Sequence, residues 1–174
     1  MDQVLKKAAE IRLAVFDVDG VLTDGGLILG NNGEEYKIFH VHDGLGLVML
    51  KKAGLHVAVI SARSSRIVSE RMATLGVEYV NQGQEDKAKA ITDLMEQLNI
   101  DRDATVYVGD DLIDIPAMTR VGFAVAVADA HPLVKEHADW VTTRRGGRGA
   151  AREVCELLLK ANGKLDQAFK EYLS

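Results

Sequence analysis

The sequence carries a single cysteine, Cys155, so no disulfide can form within the chain, and its place in REVCELLLK suits a buried helix face better than a reactive thiol. An excess of positive charge is also missing. Lys and Arg total 21 against 26 Asp and Glu, a formal charge of -5, which excludes the broad basic field of a general nucleic-acid binder. No apolar run approaches membrane-spanning length, and the opening MDQVLKKAAEIR is a polar helical lead-in without the apolar centre of a secretory signal. The expectation is a soluble cytoplasmic protein with no nucleic-acid or membrane partner. The Cys and His spacing of a structural zinc site is lacking too. His40 and His42 could share a strand face, but no third ligand accompanies them, which leaves them a polar-pocket or hairpin role. Internal repeats and low-complexity segments are absent.

What is present suits one globular unit, residues 1–174, since 47% of the 174 residues are hydrophobic. Short β-rich runs (RLAVFDV, HVAVISA, VEYVN, TVYVGDD, AVAVA, DWVTT) alternate with segments of helical spacing (DGLGLVMLKKAG, SRIVSERMATLG, EDKAKAITDLMEQLN, IDIPAMTRVG, HPLVKEHA). That order predicts an α/β fold: a Rossmann-like three-layer arrangement with a mainly parallel sheet, whose ligands bind beyond the carboxyl ends of the strands. Asp17, Ser61 and Asp110 fall at such ends.

Two segments depart from the rhythm. Residues 25–41 place two β-like runs around Asn31, Asn32 and Gly33, a hairpin turn signal. A lone hairpin is marginal in water, yet this one carries Leu27, Ile28, Leu29, Tyr36, Ile38 and Phe39, so it is expected to pack against other subunits. The tail, residues 145–174, opens on glycine and continues as amphipathic helix, with Asn162, Gly163 and Lys164 breaking it in two. Composition alone reads GGRGAARE as a flexible connection. Trp140 and Leu157 to Leu159 read as packing residues.

The chemistry concentrates in two acidic strand ends. LAVFDVDGVLTD sets Asp17, Asp19 and Asp24 around Gly20, whose backbone freedom lets the chain turn and aim side chains into one pocket. VYVGDDLID sets Asp110, Asp111 and Asp114 where a strand turns into a helix. Each cluster alone could be helix capping or turn chemistry. Together, at two strand ends of a parallel sheet, they point to an oxygen-ligated metal such as Mg2+. Ser61 can donate to a phosphoryl oxygen, and Lys87 can add a point charge for the same oxygens.

In this order, DVDGVLTD, Ser61, Lys87 and GDDLID, the motifs resemble the haloacid dehalogenase-like phosphohydrolases. The resemblance implies Asp17 as nucleophile, Asp19 as acid and base, and Ser61 and Lys87 as further catalytic groups. It also implies Mg2+ held by Asp17, Asp110 and the Asp19 backbone carbonyl, with Asp111 and Asp114 in support. A carboxylate and a phosphate dianion about 4 Å apart repel by roughly 8 kcal/mol at an effective dielectric near 20, which a divalent cation must offset before attack.

The gaps between motifs leave no room for a large cap domain, so any lid must come from a neighbouring subunit. The longer pattern, DVDGVLTDG, FHVHDGLG, ISAR, GDDLIDIPAM, AVADAHP and GGRGAAREVC, looks like the cap-less 3-deoxy-D-manno-octulosonate 8-phosphate phosphatases along nearly the whole chain. This likeness implies a homotetramer built through the hairpins, an acidic sugar phosphate as substrate, and a role in lipopolysaccharide synthesis. It further implies substrate contacts from Asp19, His40, Val41, His42, Asp43, Gly44, Val48, Arg63, Arg71 and Lys87. It turns the glycine-rich segment into a mobile tail reaching a neighbour's site, with Arg148 and Arg152 as candidate contacts. Alternatives are a phosphatase for a nine-carbon nonulosonate 9-phosphate, a phosphate-receiver signalling domain, and a non-catalytic metal-binding scaffold.

Overall fold

The structure, a computed structural model describing residues 1–173, is a three-layer α/β arrangement around a six-stranded sheet. The chain runs α1 (Asp2–Ala9), β1 (Leu13–Phe16), the hairpin β2 (Ile28–Leu29) and β3 (Glu35–Tyr36), α2 (Val41–Lys52), β4 (His56–Ile60), α3 (Arg66–Thr74) and β5 (Tyr79–Asn81). It continues through α4 (Lys87–Leu98), β6 (Thr105–Gly109), α5 (Ile115–Met118), β7 (Phe123–Ala126), α6 (Pro132–Glu136), β8 (Trp140–Val141), α7 (Ala150–Ala161) and α8 (Leu165–Lys170).

Every neighbouring pair in the sheet, order β5-β4-β1-β6-β7-β8, is parallel. Parallel strands need covering on both faces, which is why Leu13, Ala14, Val15 and Phe16 are all fully buried and read as one apolar run. Helices α1, α2 and α7 pack together, as do α4 and α5, and one apolar cluster runs from Ala8 to Leu159. Cys155 and the packing reading of Leu158 and Leu159 agree with it, all three being buried.

From β1 the chain builds outward through β4 and β5, then returns to place β6 on the other side of β1. Strand order therefore reverses at the β1–β6 boundary, and a reversal of this kind opens a crevice at the carboxyl ends of the two strands. The register pairs Phe16 with Val108, so the residues that follow each strand enter that crevice side by side.

The sequence predicts a single helix over IDIPAMTRVG; the structure divides it into a 3-10 turn, Leu112–Asp114, and the four-residue α5. Pro116 sits in the first turn of α5, and the Asp114 side chain is bound back onto the preceding loop, so the two pieces do not merge. The break at Asn162 to Lys164 is present, with Gly163 at φ +68.

The hairpin forms with the expected turn. Gly33 N donates to the Gly30 carbonyl at 3.2 Å and Gly30 N to the Glu34 carbonyl at 2.7 Å, with Gly33 in the left-handed region. Beyond it the side chains alternate: Glu35, Lys37 and Phe39 turn inward while Tyr36 and Ile38 face out. Phe39 therefore leaves the expected outward set and packs on the core, whereas Leu27, Ile28, Leu29, Tyr36 and Ile38 are exposed, joined by Val41.

The glycine-rich segment also differs from the expectation. Instead of a loose connection it lies fixed against its own chain. Gly147 N donates to the Val21 carbonyl at 2.8 Å, and a Cβ on Gly146 would stand 1.6 Å from the Gly20 carbonyl oxygen. Such close backbone approach, not flexibility, is what requires glycine there.

Candidate active site at the β1–β6 crevice

After β1 the chain turns tightly around the Val18 carbonyl, which accepts from the backbone N–H groups of Val21, Leu22 and Thr23. Thr23, almost fully buried, gathers the same loop by accepting from Gly20 N and Gly25 N. Gly20 stands at φ +99, and a Cβ there would lie 2.1 Å from Asp110 Oδ2. The glycine between the acidic residues is thus required twice, by its backbone angle and by the carboxylate across the crevice.

Asp17 and Lys87 meet in the buried floor. Lys87, the first residue of α4, donates from Nζ to Asp17 Oδ1 and to Asp114 Oδ1, each at 2.7 Å. Asp114 Oδ1 also accepts from the Tyr107 hydroxyl at 2.8 Å, and its Oδ2 accepts from the backbone N–H groups of Asp110 and Asp111 at 3.0 and 3.2 Å. With both oxygens engaged, Asp114 braces Lys87 on one side and shapes the Asp110 loop on the other. Asp111 is exposed and caps the short 3-10 turn through Leu112 N, so the capping reading holds for that residue.

The electrostatics follow from burial. Asp17 is pushed up to about 7, chiefly by desolvation and then by the Asp114 charge, against the opposing pull of Lys87. Asp110 rises to about 8 through desolvation, then through Asp114 and Asp17. Burial acts to lower Lys87, yet Asp17 and Asp114 outweigh it and hold the ammonium above its ordinary range.

Three carboxylates face one ammonium here, and the oxygens of Asp17, Asp110 and Asp114 lie within 4.8 Å of one another. Asp110 Oδ1 is buried with no hydrogen-bond partner, an acceptor that a cation would satisfy. An all-oxygen donor set with surplus negative charge fits Mg2+. Because Asp114 is saturated, Asp17 and Asp110 are the carboxylates with capacity left to hold it.

Across the crevice Ser61 follows β4, buried, with its Oγ accepting from Arg63 N at 3.2 Å. Asp19 lies nearer the mouth. Its Oδ1 pairs with Lys37 Nζ, and its Oδ2 stands 3.9 Å from Arg63 Nε.

Residues 76–153 match the haloacid dehalogenase-like hydrolase family. The chain is 54% identical to the 3-deoxy-D-manno-octulosonate 8-phosphate phosphatase of Escherichia coli K12 over 95% of its own length and 88% of that relative. It also superposes on the 41% identical Moraxella catarrhalis phosphatase of that name, solved with magnesium ion, phosphate ion and KDO, with a TM-score of 0.97 over 99% of each chain. The Yersinia pestis enzyme gives a TM-score of 0.93 at 48% identity, over 95% of this chain and 89% of that one. The chain belongs to the 3-deoxy-D-manno-octulosonate 8-phosphate phosphatase family.

Several residues to which the resemblance assigns substrate contacts make contacts within the chain itself. Asp43 is buried, and its two oxygens accept from Gly149 N at 3.1 Å and Arg152 N at 2.8 Å, at the start of α7. Gly44 lies beneath Arg71, whose Nη2 would be 2.5 Å from a Cβ there, and the Arg71 Nε is buried without a partner. Asp43 thus holds the start of α7, and Gly44 makes room for Arg71. His40 Nδ1 caps α2 by accepting from His42 N at 3.3 Å, and the two rings meet edge to face. Val41 is exposed and Val48 half-buried along α2. Arg148 pairs with Asp24 at 3.0 Å and Arg152 with Glu156. Both pairs lie within the chain, and the Arg148 side chain is still 57% exposed.

The sequence reading passed over Lys37, Glu35 and Tyr107. For the first two the signal was the alternation in EEYKIF, which sets Glu35 and Lys37 opposite the apolar face. For Tyr107 it was a hydroxyl-bearing ring inside an otherwise apolar strand that ends on GDD.

Proposed function

We propose that this chain hydrolyses 3-deoxy-D-manno-octulosonate 8-phosphate to 3-deoxy-D-manno-octulosonate and inorganic phosphate, as a Mg2+-dependent phosphomonoesterase of lipopolysaccharide synthesis working in the cytoplasm. The observation that carries the reading is the convergence of Asp17, Lys87 and Asp110 at the crevice where the strand order reverses. The named relatives supply the substrate.

Asp17 and Asp110, with the Asp19 backbone carbonyl, would hold the ion. When bound it supplies charge that offsets the repulsion between carboxylate and phosphate and favours the phosphoryl oxygens. Lys87 fixes Asp17 through Oδ1, and the second oxygen of that carboxylate attacks phosphorus as the ester P–O bond breaks. Asp19 gives its proton to the departing sugar oxygen. It then takes one from the water that cleaves the aspartyl-phosphate, regenerating Asp17 and releasing phosphate. Ser61 donates its hydroxyl hydrogen to a phosphoryl oxygen, and the half-exposed Arg63 guanidinium supplies positive charge for the sugar carboxylate.

The apolar outer face of the hairpin supports a homotetramer in which hairpins from several copies cover one another and a neighbour closes each site. No helix among the described residues is long and apolar enough to cross a membrane.

The test is phosphate release from eight-carbon and nine-carbon acidic sugar phosphates, with Mg2+ and with chelator. Preference for the eight-carbon ester is expected, together with a loss of at least about 10³-fold in Asp17→Asn. Equal turnover without the ion, or an active Asp17→Asn enzyme, refutes the reading.

A further inference from the structure

The hairpin delivers a lysine into the active site. The alternation that exposes Tyr36 and Ile38 turns Lys37 inward, where its side chain is 1% exposed. Its ammonium bonds Asp19 Oδ1 and lies 3.3 Å from Glu35 Oε1, while Arg63 Nη2 reaches the same Glu35 oxygen at 3.4 Å. A buried ammonium is costly unless paired, so the position is sustained only by the two carboxylates it joins. Lys37 touches neither Asp17 nor Asp114; those belong to Lys87.

We propose that Lys37 is a positioning residue for the acid and base Asp19: it fixes the rotamer of that carboxylate so that its second oxygen faces the leaving group, and it ties proton transfer to the folded hairpin. The inference rests on the reading of Asp19 given above. Lys37 acts through geometry, with Glu35 anchoring it and Arg63 closing the network from the β4 side. A carboxylate at the end of a turning loop has two side-chain torsions to settle, and a small misplacement of a proton donor costs rate steeply.

The experiment separates proton donation from nucleophilic attack by leaving group. A sugar alkoxide needs a proton as it departs; p-nitrophenolate and acetate do not. Read as kcat/KM, which ends at departure of the leaving group, Lys37→Met is expected to lose about 10- to 100-fold on the sugar phosphate. It should lose far less on p-nitrophenyl phosphate or acetyl phosphate. Lys37→Arg should recover part of the sugar-phosphate loss. A crystal structure of the Lys37→Met enzyme is expected to show the Asp19 carboxylate turned away from its present position.

Equal losses on both substrate classes, no loss on the sugar phosphate, or an unmoved Asp19 overturns the proposal. Should Lys37→Met fail to fold, the same ratio and the same structure in Lys37→Gln decide it. If the unsubstituted protein releases no phosphate from any substrate, the phosphatase reading fails, and the position of Asp19 in the variant still judges the role of Lys37.

Discussion

At Asp17 and Asp110 burial and then the Asp114 charge work against ionisation and push the carboxyls up from the ordinary 3.8 to about 7 and about 8. A group whose folded pKa is raised contributes stability that is fully present below its unfolded pKa and lost as pH rises through the folded value. Metal-free protein is therefore expected to lose thermal stability from pH 5 to pH 8.5. Mg2+ favours the ionised carboxylates, so it should stabilise the protein more at pH 8.5 than at pH 6 and release protons on binding. Melting curves in chelator and in Mg2+ across this range provide the check, and an ion effect independent of pH would refute the assignment of these two residues. Asp114 needs no such ion, because Lys87, Tyr107 and two backbone N–H groups already satisfy it. Its role could not be read from DDLID: three carboxylates within five residues look alike in sequence, and only the Lys87 contact, from a distant helix, distinguishes them.

Among the elements, α7 shows how a site loop is held in place without touching the chemistry. Asp43, in the first turn of α2, bonds Gly149 N and Arg152 N, and the glycines just before α7 lie against the loop after β1. The buried contact thus joins the hairpin side of the molecule to the nucleophile loop. Removing a charged acceptor of two backbone donors costs about 2 kcal/mol. Asp43→Ala is accordingly expected to melt roughly 5 °C lower. Trypsin should also cut it sooner within residues 144–148. An unchanged melting point and digestion rate would show that the clasp carries no weight. The element order was legible from β-rich runs alternating with helical spacing, down to the Gly163 break. The fixed state of GGRG was not, because glycine needed for close approach and glycine supplying flexibility have the same composition.

On the scale of the whole molecule, one chain leaves Ile28, Tyr36 and Ile38 exposed on the outer face of the hairpin, with Leu27, Leu29 and Val41 exposed as well. Ile28, paired with Tyr36, is 48% exposed, so Ile28→Glu places charge on that face without disturbing the monomer's core. On the proposed tetramer it is expected to shift the molar mass in solution to smaller species at unchanged circular dichroism, with falling activity on the sugar phosphate. A tetramer that survives the charge would place the interface elsewhere. The sequence by itself determined the strand and helix order, the acidic strand ends, the turn at Gly33 and the family. Apolar periodicity, glycine placement and motif order are local properties that a linear string records. Tertiary structure alone decided which carboxylate faces Lys87, that Asp43 serves α7, and that Lys37 reaches Asp19. Those outcomes depend on residues far apart in the chain meeting in one buried space, where desolvation requires each charge to find a partner.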